Sequence, residues 1–148
     1  MTKDNTVKIM QSIQSELKAP KGQTNKFGGY SYRSAEDILE AVKPLLNKYN
    51  CFLTVSDEIV EVGGRVYVKA TATVHESHCD SIAVTTAFAR EAEVKKGMDD
   101  AQITGSASSY ARKYALNGLF AIDDTKDPDA TNKHGKGKSL PVVTTTEF

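Results

Sequence analysis

The sequence predicts an α+β domain in which a three-stranded antiparallel sheet is packed by helices. Three observations carry that prediction. Apolar residues recur at spacings of three and four from residue 4 to 18, and again from 34 to 49. From Cys51 the period changes to two and stays there to about Glu91. Helical spacing returns between Asp99 and Asn117. The order is therefore helix, loop, helix, three strands, helix.

In the first helix Ile9, Ile13 and Leu17 form a narrow stripe, widened by Val7 and Met10, and Asp4 or Asn5 can cap it. Ala19 to Arg33, APKGQTNKFGGYSYR, is expected to be a loop. Pro20, Gly22 and Gly28-Gly29 argue against regular structure across most of it. Lys18, Lys21, Lys26 and Arg33 supply four cations there with no acid, and Phe27, Tyr30 and Tyr32 interleave with them. Cations track a phosphate backbone and aromatic faces stack bases, the usual arrangement for single strands. The plainer alternative is that some of these rings turn inward and pin the loop. Ser34 caps the second helix, with Asp37 at its third position. Ile38, Ala41, Val42, Leu45, Leu46 and Tyr49 form its apolar face. Pro44 removes a donor inside this helix and is expected to kink or split it.

The first strand runs from Cys51 to about Val62, and Gly63-Gly64 makes a hairpin turn. In the second, Val66, Val68, Ala70, Ala72 and Val74 alternate with Arg65, Tyr67, Lys69, Thr71 and Thr73, giving one buried and one polar face. A polar loop, HESHCD, leads to the third strand, Ser81 to Glu91, with Ile82, Val84 and Phe88 on one side.

In the last helix Asp99 and Gln102 have capping-box spacing, and Asn117-Gly118 gives a stop signal. Ile103, Ala107, Tyr110, Ala111 and Tyr114 share one face, so Tyr110 is expected in the core. Gly105, Ser108, Ser109 and Arg112 lie opposite, with Ser106 and Lys113 at the edge. Small residues admit a close neighbour and two cations favour a polyanion, although most charged helix faces are only solvated. After Phe120 the chain is polar and lacks apolar periodicity. Residues 1–130 are therefore expected to form the domain, and 131–148 a disordered tail.

Composition removes several classes. The 148 residues carry 19 Lys and Arg against 19 Asp and Glu, so any nucleic-acid site must come from local clustering. No apolar run reaches membrane-span length, and MTKDNTVKIM lacks a signal-peptide core. Cys51 and Cys79 form no CxxC motif, so a reducing cytosolic setting is the default.

Partial motifs for three chemistries are present. Gly137-Lys138-Ser139 ends like a phosphate loop, but Asn132 stands where the earlier glycine belongs and no strand precedes it. His75, His78 and Cys79 sit close together, yet only distant Cys51 completes a fourfold metal site. Glu91, Glu93, Asp99, Asp100, Asp123 and Asp124 are enough carboxylates for a metal-dependent nuclease, although Asp99 and Asp100 already have a capping role. A purely structural oligomer is the remaining alternative.

Three segments, KFGGYSYRSAEDILEAVKPLL, RVYVKATATV and KKGMDDAQITGSASSYARKYALNGLFAIDDTKDPD, closely resemble the Erf family of phage single-strand annealing proteins. The likeness covers roughly residues 5 to 130. It implies an ATP-independent recombinase that binds single-stranded DNA, anneals complementary strands and needs no cofactor. It further implies a ring or helical homo-oligomer with a β-β-β-α core, working in the cytoplasm of an infected or lysogenic bacterial host. Partners of the single-strand-binding-protein or nuclease kind also follow, although the tail here is shorter than the partner-binding region of many members. Carried onto this chain, the resemblance points to Arg112 and Lys113, then Arg65 and Lys69, as DNA-binding residues. Lys26, Tyr30, Tyr32 and Arg33 follow in the loop, with Arg90, Lys95 and Lys96 as weaker candidates.

Overall fold

The computed structural model describes residues 3–78, 80–94 and 96–122. Helix α1 (Lys3–Glu16) is followed by strands β1 (Gln23–Asn25) and β2 (Tyr30–Tyr32), then helix α2 (Ala35–Lys48). Strands β3 (Cys51–Val62), β4 (Arg65–Glu76) and β5 (Ser81–Arg90) lead to helix α3 (Asp100–Leu119). The fold is α+β: β3, β4 and β5 form an antiparallel sheet with β4 central, and β1 pairs with β2 in a separate small hairpin.

The capping signals form as read. Ser34 and Asp37 close one capping box, and Asp99 and Gln102 close the other. Gly63 and Gly64 both have positive φ, 60° and 76°, as a tight two-residue hairpin turn requires. Asn50 takes the left-handed conformation between α2 and β3.

α3 lies across one face of the sheet. Its Ala107, Ala111 and Ala115 are buried, as are Ala70 and Ala72 of β4. Alanine facing alanine lets helix and sheet approach closely. Phe120, Ile13, Ile38 and Leu116 fill the space around this seam and are fully buried, each contributing about 1.5–3 kcal/mol of apolar burial. Leu119 and Phe120 close the core, with Ile122 packed against it.

Several expectations need correction. Tyr110 and Tyr114 do not fill the core: they are 47% and 49% exposed. The alanine seam has no room for a ring, so both are displaced to the flank of α3. The same seam decides the face of β5. Ala83, Ala87 and Ala89 oppose Val74, Ala70 and Val68 and point inward, so Val84 and Phe88 are exposed on the outer side of the sheet. α3 continues through Gly118, and the left-handed residue is Ala121. At Gly118 the absent side chain permits close approach: a Cβ there would lie 3.0 Å from the Thr85 methyl.

The segment from Ala19 to Arg33 is not all loop. Asn25 Oδ1 accepts hydrogen bonds from the backbone N–H groups of Phe27 (2.9 Å) and Gly28 (3.1 Å). That turn, with Gly29 at φ 63°, closes the β1–β2 hairpin. β4 likewise runs two residues into the supposed HESHCD loop, and Glu76 is buried. Finally, α2 stays one helix through Pro44, which lies on its exposed side where water can serve the freed carbonyl.

Candidate nucleic-acid interface

The face of α3 turned away from the sheet meets the β1–β2 hairpin and the start of α2. Between them lies an open groove of about 560 Å³. Its floor is the small-residue face of α3, with Gly105, Ser106 and Ser109. Tyr30 and Tyr32 line it from the hairpin, Tyr110 and Lys113 from α3. Loop aromatics and helix cation, separated by some eighty residues of sequence, thus line one site.

Lys113 is its electrostatic centre. Its Nζ lies 4.8 Å from the ring centre of Tyr110, 5.9 Å from Tyr114 and 6.0 Å from Tyr32, within cation–π range. Desolvation by burial lowers its pKa, and the neighbouring charge of Arg33 lowers it further. Among the described residues no carboxylate forms an ion pair with it. A partly dried cation with a cation for a neighbour is a site that favours an anion.

The hairpin is shaped to present its rings. A Cβ on Gly28 would collide with the Tyr30 ring, so glycine is what lets that ring fold back over the turn. The Tyr30 hydroxyl accepts a hydrogen bond from Asn25 Nδ2 at 2.9 Å, and the ring packs edge-on against Tyr32 at 6.3 Å. Tyr30 nevertheless remains 52% exposed.

Other residues singled out from sequence fall elsewhere. Arg112 lies on the α3 flank beside β3. Its Nε and Nη2 donate to the two oxygens of Asp57 at 3.0 and 3.1 Å, and the Ser108 hydroxyl donates to the same carboxylate. Desolvation raises the pKa of Asp57, but the bonds from Arg112 and Ser108 and the Arg112 charge outweigh it and leave the pKa lowered. Arg33 is only 3% exposed, and its Nε donates to the Ala19 carbonyl at 2.7 Å. It ties down the start of the 19–33 segment and is turned away from solvent. Lys26 and Phe27 stand exposed at the hairpin tip, and Lys96 is exposed in the turn before α3.

Arg65 and Lys69 lie on the outer face of the sheet, and Arg90 stands on the same side at the β5 edge, where it lines a second hollow with Ile103, Tyr110 and Tyr114 of α3. On the outer face Lys69 stands opposite Glu58 and Phe88 in register, with its Nζ 5.9 Å from the Phe88 ring. His75, on the same face, stacks on Phe52 at 4.6 Å and bonds Thr54 at 2.9 Å. Lys95, Cys79, Asp123, Asp124 and the 131–148 segment with Gly137-Lys138-Ser139 lie outside the described residues. The Asp99 carboxylate accepts from the Gln102 N–H at 2.9 Å as a helix cap. Among the described residues no three His, Cys, Asp or Glu side chains are grouped to hold a metal ion, and no helix is long and apolar enough to cross a membrane.

Sequence reasoning missed Tyr110 as a groove wall and Asp57 as the partner of Arg112. A usable signal existed for Asp57: it interrupts the inward alternation Leu53, Val55, Ile59 of β3. An acid at such a position needs a partner on the covering element.

Comparison with known proteins now places the chain. The ERF superfamily profile matches residues 7–146. The chain belongs to the ERF superfamily. It is 55% identical over 136 residues to the Essential recombination function protein of Salmonella phage P22, an alignment that covers 92% of this chain and 64% of that relative. This superfamily member thus spans a little under two thirds of that relative's length. No solved structure matches the chain.

Proposed function

We propose that this ERF-superfamily protein binds single-stranded DNA and anneals complementary strands in phage recombination, without nucleotide hydrolysis, as a ring or helical oligomer. The observation that supports this most directly is the groove between α3 and the β1–β2 hairpin, where Lys113 stands among tyrosine rings with no carboxylate partner among the described residues. A cation flanked by aromatic faces suits a single strand, whose bases are free to stack. The P22 relative's name, Essential recombination function protein, supports the biological setting.

The mechanism is physical. Each groove fixes a short stretch of one strand through its phosphate and leaves the flanking bases open. Linking many grooves in an oligomer adds weak contacts into durable binding. A second strand samples register on the exposed bases, and base pairing drives the product forward. The catalytic set is empty in this scheme: no residue makes or breaks a covalent bond.

Annealing of complementary labelled strands, measured with and without ATP, tests the proposal. The expected result is nucleotide-independent annealing that weakens with salt. A requirement for ATP, or magnesium-dependent cleavage of the strands, would overturn it.

A further inference from the structure

We infer that the groove captures one unstacked nucleobase per protomer, held by tyrosine rings from two different elements, with the adjoining phosphate on Lys113. The inference rests on the single-strand reading above and goes beyond it, because phosphate binding alone needs no cavity. Cations on an open surface suffice to track a backbone. This groove has about 560 Å³ of space, in the range of sites that enclose a small organic group.

Its walls and floor fit a base. Tyr30 and Tyr32 line the hairpin side and Tyr110 the helix side, so a planar ring entering between them has aromatic side chains on both sides, next to Lys113. Half of Tyr30 and nearly half of Tyr110 are open to solvent, which leaves both rings accessible to a ligand in the groove. The floor keeps hydrogen-bonding groups in hand. Gln102 Oε1 is taken by the Asp99 N–H, which leaves its Nε2 as a donor. The hydroxyls of Ser106 and Ser109 donate or accept as needed. Such a floor tolerates any base edge, as a sequence-indifferent protein requires. Gly105 keeps the floor low: a Cβ there would meet nothing within 4 Å.

Capture also explains how one site distinguishes reactant from product. A base in a duplex is stacked and paired, and it cannot enter a cavity between two protein walls without being extruded. An unpaired base enters at little cost. Pairing with an incoming strand then competes with capture, so the groove loosens as the duplex forms.

The test compares a thymidine oligomer with an abasic oligomer of equal length and phosphate number, by fluorescence anisotropy on the full chain. The expected result is about fivefold or greater weakening on the abasic strand, with similar salt slopes. Tyr110→Ala should bring the thymidine-to-abasic affinity ratio close to one. Gly105→Leu, which places a side chain in the open floor, should do the same by an independent route, and thermal melting confirms that each variant is folded. Equal affinity of the unmodified protein for the two oligomers would overturn base capture while leaving single-strand binding intact. Failure to bind either oligomer would overturn both.

Discussion

The groove beside α3 and the outer face of the sheet are made of the same residue types and differ in what those residues can do. Both combine aromatic rings with Lys and Arg. On the outer face the side chains stand nearly perpendicular to one flat layer, so Arg65, Lys69 and Arg90 are held apart by the strand spacing. Lys69 has Glu58 beside it in register. In the groove, two stretches distant in sequence converge, residues 25–35 and 102–113, and Lys113 is partly dried with Arg33 as its charged neighbour. Convergence makes a concave site in which no described carboxylate pairs with Lys113, whereas on the strand face Lys69 has Glu58 as its cross-strand neighbour. On the proposed reading the groove is therefore the stronger anion site, although it has fewer surface cations.

Charge reversal gives the largest expected contrast. Lys113→Glu should weaken single-strand binding by about tenfold or more, the value of a lost charge-assisted hydrogen bond together with new repulsion. Lys69→Glu, on the outer face, should cost no more than about threefold, as for an exposed, screened charge. Anisotropy titrations at fixed salt compare the two. Equal losses would mean that the strand contacts both sides of the sheet.

Titration sharpens the same contrast. Because the folded protein lowers the pKa of Lys113, its ammonium is lost below the ordinary lysine value of 10.5. Affinity should then fall with rising pH earlier than an ordinary surface lysine would allow. The sign for folding is opposite: burying this cation costs stability at neutral pH, and the cost fades as pH rises through the lowered pKa. Lys113→Arg, which keeps its charge, should abolish the early fall in binding. An unchanged pH profile in that variant would assign the titration to another group.

How far the sequence disclosed this contrast depends on the kind of signal. Local chemistry was readable: both capping boxes, the Gly63-Gly64 turn and the alternation of β4 follow from neighbouring residues. What failed was the choice of face. Tyr110 and Tyr114 lie at helical spacing from Ile103, and hydrophobicity alone assigns them to the core. Only the closeness of the alanine seam ejects them, and that distance is set by β4, thirty or more residues away. Which face of β5 is buried has the same origin, since alanines look weaker than Val84 and Phe88 until the helix is in place. Lys113 and the hairpin tyrosines are each conspicuous in the sequence, but their meeting depends on a fold-level contact that spacing does not encode.

Gly105→Ala is the next, smaller test, and it separates stability from binding. The site is solvent-facing helix interior, and a Cβ there meets nothing within 4 Å. Replacing glycine should stabilise the domain by roughly 0.5–1 kcal/mol. A methyl group is too small to fill the groove, so affinity should change little, in contrast to Gly105→Leu. Melting curves and titrations of both variants give the comparison, and a loss of stability in Gly105→Ala would show that the floor is already occupied.

The smallest effect concerns the flank that joins α3 to β3, and it decides whether Arg112 belongs with the groove. Its guanidinium grips Asp57 through two donors, and both side chains are partly exposed, 40% and 26%. Such a pair contributes roughly 0.2–1 kcal/mol after solvent screening. Arg112→Ala should therefore lower Tm by at most about 4 °C and alter single-strand affinity far less than Lys113→Glu. The pH dependence follows from Asp57, whose pKa is lowered in the fold. Its contribution is present above the ordinary aspartate value of 3.8 and is lost as pH falls through the lowered folded value. Asp57→Asn should flatten that acid limb and leave the alkaline fall in binding, set by Lys113, where it was. If Arg112→Ala instead matched Lys113→Glu in lost affinity and salt slope while melting normally, the Asp57 pair would be a resting contact that DNA displaces, and the groove would extend across α3 to the edge of β3.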